Sequence, residues 1–449
     1  MEILNSLVQY LKYGSLGLSY YLTLKFALEF SNTCGGDNQT LKDLLKHIYV
    51  IGQTGTGKTT FILNRVHEYK KYGSVVFICY KDQKTAHELL DTFNDEEKDR
   101  VVYIDPTYSN NKIGFNMFGD SRSSIKNELY INSMIDTYKT LWGDSIGASS
   151  EDIFRMIGLG VAEMKIRTPL EIYKCLVEEF EEYRILVEKT TKNPIVKNFF
   201  THELPKKVTN HSVINPPKNK QRRIVGSPIL LSTLCQSNPK FNLEKEVNDR
   251  KIIIVNFNQE KLGAENASFL ASLFFSQLQI IGFTRKNKSV PIFVIADEFQ
   301  DYINDSFETF LSQARAFNMS LTLAHQYKSQ VPPKIQNAID GNVASRYYFR
   351  VGKADAKELS VFLDEGIEKD KLVNMKDYHY LREIIVDGKK QPMKIKKAPK
   401  PQETFSNRDY IMNNSAAKHG VSKREIDLDI RRRFGEVEDK VNDLGGIII

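Results

Sequence analysis

The sequence predicts an α/β protein whose central, mostly parallel sheet is interrupted by an all-helical insert. Three observations carry this reading. The octapeptide Gly52-Gln53-Thr54-Gly55-Thr56-Gly57-Lys58-Thr59 follows the apolar run Ile48-Tyr49-Val50-Ile51 and precedes a helical pattern opening near Thr59-Thr60-Phe61. Continuous β-branched runs recur in two blocks of chain, separated by helical stretches, as a parallel sheet covered on both faces requires. Between the blocks the texture changes to helical periodicity with charged faces.

The chain has 449 residues, 41% of them apolar, which is enough for one large or two medium cores and excludes overall disorder. A formal charge of +7 permits a polyanionic partner without requiring one. Cys34, Cys79, Cys175 and Cys235 have neither C-x-x-C pairing nor metal-ligand spacing and read as thiols in a reducing, cytoplasmic compartment.

Taken in order, residues 1–40 read as an N-terminal helical or interfacial segment. Leu7 to Phe30 is rich in leucine and tyrosine, but Lys12 and Lys25 interrupt it. The uncharged stretch from Tyr13 to Leu24 falls short of the roughly 18 to 20 residues a spanning helix needs. A helix packed on the protein or a neighbouring subunit and an interfacial helix at the inner face of the membrane are both open readings.

Residues 41–120 hold the first block. The octapeptide matches G-x-x-x-x-G-K-S/T in its strand–turn–helix setting, the phosphate-binding P-loop. Its glycines let successive N–H groups, from Gly52 to Thr60, converge on phosphate oxygens at a helix N-terminus. Lys58 would reach the β- and γ-phosphates of ATP, and Thr59 would ligate Mg²⁺. Two further strands follow, Ser74 to Tyr80 and Val101 to Asp105.

Residues 121–246 form the helical insert. Within it, Asn215 to Arg223 reads as a basic, proline-broken loop, either solvated or touching phosphates through Lys218, Lys220, Arg222 and Arg223. Residues 247–387 return to strands, at Lys251 to Phe257, Ile292 to Asp297, Leu321 to Gln326 and Arg346 to Val351. Residues 388–449 read as a tail, with a linker at 396–401 and a short charged helix from Ser422 to Phe434. Its Arg431-Arg432-Arg433 run is either a partner or nucleic-acid contact or an exposed helix face.

The second block supplies what a hydrolase needs. The apolar strand from Val290 ends in adjacent carboxylates, Asp297 and Glu298. The first can hold Mg²⁺ and the second can polarise the water that attacks the γ-phosphate. Transfer of phosphate to a metabolite would not need that second acid. Gln326, at the end of the following strand, is placed to sense the γ-phosphate, and Arg315 is a candidate for completing charge neutralisation.

Asp297-Glu298-Phe299-Gln300, Ser312-Gln313-Ala314-Arg315, Leu323-Ala324-His325-Gln326 and the block from Asn342 to Gly352 occur in an order and spacing that resemble the conjugative type IV coupling proteins, within the HerA/FtsK group of DNA-pumping ATPases. The resemblance covers about Leu41 to Leu363. It implies a RecA-like motor with an inserted helical domain, a hexameric homo-oligomeric ring, and sequence-independent DNA moved through its channel. It also implies that Arg315 is an arginine finger acting on the next subunit's nucleotide and that Gln326 reports the γ-phosphate. Relaxase or secretion-channel proteins are the implied partners, with peripheral membrane contact. Two departures stand out. The typical N-terminal anchor is absent or degenerate, and Tyr80-Lys81-Asp82 replaces an Asp-Pro pattern.

The leading expectation is therefore an ATP-driven DNA translocase for transfer of a mobile element. Genome packaging or DNA-end processing would use the same motor. A docking receptor switched by ATP is the reading from another class, and the joint presence of Glu298, Arg315 and Gln326 argues against it.

Overall fold

The computed structural model describes residues 39–118, 123–143, 146–304 and 306–436. The expected N-terminal segment lies, but for Gln39 and Thr40, outside the described residues. The first block forms β1 (His47–Ile51), α1 (Lys58–Tyr69), β2 (Ser74–Cys79), α2 (Gln83–Leu90), β3 (Val101–Ile104) and a short β4 (Asn111–Lys112). The insert contains α3 (Ser124–Trp142), α4 (Ala148–Ala162), α5 (Pro169–Cys175) and α6 (His211–Val225) among shorter helices. The second block supplies β5 (Ile252–Asn256), α7 (Ala264–Thr284), β6 (Ile292–Asp297), α8 (Phe307–Gln313), β7 (Met319–His325), α9 (Pro333–Asn342), β8 (Val343–Tyr348) and β9 (His379–Glu383). After a small hairpin of β10 (Ile385–Val386) and β11 (Lys389–Lys390) come β12 (Lys394–Lys397), α10 (Arg408–His419), β13 (Val421–Ser422) and α11 (Lys423–Arg433).

Nine strands form one sheet in the order β12-β9-β8-β1-β7-β6-β2-β5-β3. From β8 to β3 every neighbour is parallel, whereas β9 and β12 are added antiparallel at one edge. Burial on both faces explains the unbroken apolar runs: Ile48 and Val50 face one core with α1 and α2, and Tyr49 and Ile51 face the other. That second core continues into the insert through Ile131, Met134 and Tyr138 of α3 and Phe154 and Ile157 of α4. Helix α7 is long and apolar enough to cross a membrane, but 83% of its most hydrophobic window is buried inside the protein, against α3. A helix apolar all round is what a core position requires.

Buried polar groups fix how the layers meet. His47 on β1 donates from Nε2 to the Leu311 carbonyl (2.8 Å) and accepts at Nδ1 from the Leu321 N–H (3.1 Å), which sets one neutral tautomer. Burial holds it neutral, with a pKa lowered to about 4. In the insert the fully buried Gln221 accepts from Tyr138 Oη at 2.9 Å and donates to the Pro169 carbonyl at 2.6 Å, tying α6 to α3 and α5.

Two expectations are corrected. Asn215 to Arg223 is not a loop but part of α6, despite Pro216 and Pro217 inside the helix. Ile214, Pro217, Gln221 and Ile224 are buried at helical spacing, and that packing outweighs the lost N–H donors. Residues 396–401 are not a free linker, because Lys396 and Lys397 lie in β12, paired with Tyr380 and His379.

The chain after β12 is a strap. It passes α1, where Asn64 donates to the Lys400 carbonyl (3.1 Å), and then α2, where Phe405 N donates to the Asp91 carbonyl (2.7 Å). Helix α10 covers β3, β13 pairs with β4, and α11 ends on the insert. There Arg433, far from being an exposed cation, is mostly covered and ion-paired with the buried Glu171 at 3.0 Å. The Arg433 contact removes one member of the cluster read as either a partner or nucleic-acid contact or an exposed helix face; Arg431 and Arg432 remain exposed.

Candidate active site

The P-loop leaves the end of β1 and enters α1 at Lys58, with Gly57 as its N-cap at φ 99°, a left-handed conformation that favours glycine. Gly52 is needed for a different reason. A Cβ there would lie 2.4 Å from Phe349 Cβ, so the loop could not seat against the end of β8. The loop is held from outside by neighbouring strands: Gln53 N donates to the Arg350 carbonyl (2.9 Å), and Tyr378 N donates to the Thr56 carbonyl (2.8 Å). Within the loop Thr56 Oγ1 donates to the Gln53 carbonyl (2.7 Å). No side chain caps α1, so its first N–H groups open on the cleft.

That cleft has a volume of about 400 Å³. It is lined by Gln53, Thr54, Gly55, Gly57, Lys58, Thr59 and Thr60 on one wall, and by Asp297, Glu298 and Gln326 opposite. Strand order explains the meeting: β1, β7 and β6 are adjacent and parallel, so their C-terminal ends present the P-loop, Gln326 and Asp297-Glu298 side by side.

The electrostatics follow from burial. Lys58 is only 8% exposed, and burial lowers its pKa while Asp297 and Glu298 raise it. Burial pushes the Asp297 carboxyl up to about 6; Lys58 lowers it and Glu298 raises it again. Two carboxylates and one ammonium thus share a poorly solvated space. An incoming polyphosphate with a divalent cation would meet the Lys58 ammonium, the Asp297 and Glu298 carboxylates and the Thr59 hydroxyl.

Glu298 adopts φ 48°, ψ 45°, a left-handed conformation unusual for a glutamate. The turn swings its side chain off the strand direction and into the cleft, 5% exposed. Both carboxylate oxygens are held: Oε1 accepts from Gln326 Nε2 at 2.6 Å, and Oε2 accepts from Gln300 Nε2 at 3.1 Å. Gln326 also accepts at Oε1 from Thr54 Oγ1 at 3.0 Å. A continuous chain of hydrogen bonds therefore runs from the P-loop through Gln326 to the second acid of β6. Gln330 Oε1 accepts from the Gln326 and Tyr327 N–H groups, each at 3.0 Å, and fixes the turn that presents it.

Arg315 stands apart. It lies in the exposed turn between α8 and β7, at the opposite end of β7 from Gln326. At about 3.3 Å per residue, the strand alone separates it from the cleft by roughly 20 Å. Thus Lys58, Thr59, Asp297, Glu298 and Gln326 are brought together and Arg315 is not. The cleft further contains Lys81, Asp82, Thr85, Glu88 and Tyr378, which sequence reasoning did not assign to it. Asp82 caps α2 by accepting from Thr85 N at 2.8 Å, so the departure at Tyr80-Lys81-Asp82 builds a helix N-terminus on the cleft wall. A capping signal, Asp before a helical pattern, was present there; for Tyr378 there was none.

No protein-family model matches the chain, and no curated protein matches its sequence. Solved structures do share its fold. The plasmid coupling protein TrwB, in complex with the non-hydrolysable GTP analogue GDPNP, superposes with a TM-score of 0.62 at 15% identity, over 83% of this chain and 89% of that one. TrwB with ADP and Mg²⁺ gives 0.61 at 13% identity, over 82% and 88%. VirB4 of Thermoanaerobacter pseudethanolicus gives 0.51 at 16%, over 79% and 90%. The fold of this chain is thus that of the conjugative coupling protein, a P-loop α/β architecture with a helical insert, and extends over most of both chains.

Proposed function

We propose that this chain is an ATP hydrolase that moves DNA during conjugative transfer of a mobile element. The observation that carries the reading is the bridge from Thr54 through Gln326 to Glu298. A scaffold that only bound nucleotide would have no use for a buried carboxylate oriented from both sides at the γ-phosphate end of a P-loop. The choice of DNA as cargo is supported by the shared fold with a plasmid coupling protein.

The P-loop N–H groups from Gly52 to Thr60 cradle the phosphates, and Lys58 neutralises the β- and γ-oxygens. Thr59 and Asp297 offer a hydroxyl and a carboxylate, an all-oxygen pair suited to Mg²⁺, which keeps several waters and needs few protein ligands. Mg²⁺ bound there supplies charge neutralisation at the leaving and transferring phosphates. Glu298 orients and polarises the attacking water. Gln326, sharing one proton-donating amide with Glu298 and one carbonyl with Thr54, registers whether a γ-phosphate occupies the space between them. Arg315, remote from its own cleft, serves the cleft of a neighbouring copy in a ring, where a finger is worth about 10³ to 10⁵ in rate.

Steady-state ATP turnover with and without DNA of unrelated sequences, across a salt series, tests the proposal. DNA stimulates turnover irrespective of sequence, and the stimulation falls steeply with salt because phosphate contacts release counterions. Turnover indifferent to DNA would overturn the translocase and leave an ATPase of another purpose.

A further inference from the structure

Among the described residues lining the cleft, Tyr378 alone carries an aromatic ring, and its backbone is unusual. It sits at φ 59°, a left-handed conformation that is a genuine outlier for a bulky side chain. Such strain persists only where the surroundings impose it. Here two backbone hydrogen bonds do so: Tyr378 N donates to the P-loop carbonyl of Thr56 (2.8 Å), and Ala398 N donates to the Tyr378 carbonyl (2.6 Å). The preceding Asp377 is ion-paired at 2.8 Å with Arg350, whose own carbonyl accepts from Gln53 N. The loop before β9 is therefore tied to the P-loop directly at Thr56 and, through Arg350, at Gln53.

The clamp fixes where the ring lies. A Cβ on Gly57 would fall 2.8 Å from Tyr378 Cδ1 and 3.0 Å from its Cα, so ring and glycine are in direct contact at the entrance to α1. The side chain is nonetheless 50% exposed, with the rest of the cleft in front of it. Thr59, Thr60 and Tyr378 line the same cleft as Lys58, so a nucleoside attached to phosphates seated in the loop would share that space with the ring.

We infer that Tyr378 is the platform on which the nucleobase stacks, and that the base is held by its face. The inference rests on the nucleotide-site reading above and deepens it. A strained loop hydrogen-bonded to the P-loop, carrying a half-exposed ring against the last P-loop glycine, pre-positions an aromatic surface at fixed distance from the phosphates. Stacking accepts any base with a sufficient π-face, so adenine and guanine are bound alike.

Binding of ATP, GTP and inorganic tripolyphosphate to the full chain, in Mg²⁺, tests this. Tyr378→Ala should weaken ATP and GTP by a similar factor, about tenfold, and leave tripolyphosphate unchanged, while Tyr378→Phe restores both nucleotides. In Tyr378→Trp the added indole emission, read against the single native tryptophan, should be quenched by ATP and GTP but not by tripolyphosphate. Unchanged ATP affinity in Tyr378→Ala, or equal loss of ATP and tripolyphosphate, would overturn the platform while sparing the P-loop. Failure of the wild-type chain to bind either nucleotide or tripolyphosphate would overturn the nucleotide site itself, and the platform with it.

Discussion

Gln326 Nε2 lies 2.6 Å from Glu298 Oε1, so the amide ending one strand holds the carboxylate ending its neighbour. Gln326 lies at the γ-phosphate end of the cleft and holds Glu298 there, which separates binding from turnover. Gln326→Ala should leave ATP affinity within about twofold of wild type and lower turnover by about 10²-fold, the scale on which loss of one preorganised donor is felt. Nucleotide titration beside a phosphate-release assay reads both quantities.

Lys58 and Glu298 should fail in different ways. Lys58→Ala removes the cation that meets the phosphates, so ATP binding and hydrolysis are both lost. Glu298→Gln keeps the side-chain volume and retains ATP but stalls cleavage. Equal loss of binding in the two variants would contradict the role given to Glu298.

Arg315, at the far end of β7 from the cleft, supports a mixing experiment. Arg315→Ala and Lys58→Ala should each be inactive, and hetero-oligomers of the two should recover part of the turnover at interfaces where an intact P-loop meets an intact arginine. No recovery in demonstrably mixed oligomers would return Arg315 to a structural role.

Acid should destabilise the fold above the pH at which ordinary carboxylates titrate. Burial lowers the pKa of His47, His67 and His419 to about 4 and of His325 to about 3, from an ordinary value near 6.5. The unfolded chain therefore binds more protons than the folded one between about pH 6.5 and 4. Stability is full above 6.5 and is lost as pH falls through that window. Urea midpoints at pH 7, 6 and 5 should fall progressively, and His47→Gln should flatten the slope.

Arg433 and Glu171 join the chain's end to the insert, and breaking a buried pair from one side is costly. Arg433→Ala leaves the Glu171 carboxylate with its Thr168 hydrogen bonds but no cation and should destabilise the protein by about 3 kcal/mol, whereas Arg433→Met combined with Glu171→Gln should cost less. Urea unfolding measures the difference. Limited proteolysis should cut the single variant in the strap between Ala398 and Asn407.

How much of this was legible in the sequence follows from how local each signal is. The P-loop is eight contiguous residues whose backbone chemistry is self-contained, and Asp297-Glu298 ends an apolar run that can only be a buried strand. Tyr378 lies 320 positions beyond Lys58 in an ordinary polar stretch; what marks it is a backbone angle imposed by Thr56 and Ala398, which no window of sequence contains. Helix α6 was hidden because Pro216-Pro217 are strong breakers locally, while the 214, 217, 221 and 224 spacing that overrides them needs the partners Tyr138 and Pro169. Lys394–Lys397 carries no strand propensity of its own. It becomes a strand because β9 is there to pair with it.

That last strand decides what the sheet cannot do. A nine-stranded sheet has two rims, each with amide and carbonyl groups open to any passing strand. At the β3 rim, Ser415 of α10 accepts from the Tyr103 N–H at 3.0 Å, so a helix has taken the place a foreign strand would occupy. At the β12 rim, Lys394, Lys396 and Lys397 stand exposed, and two such rims brought together would set ammonium against ammonium. Both rims thus oppose edge-to-edge pairing of two copies.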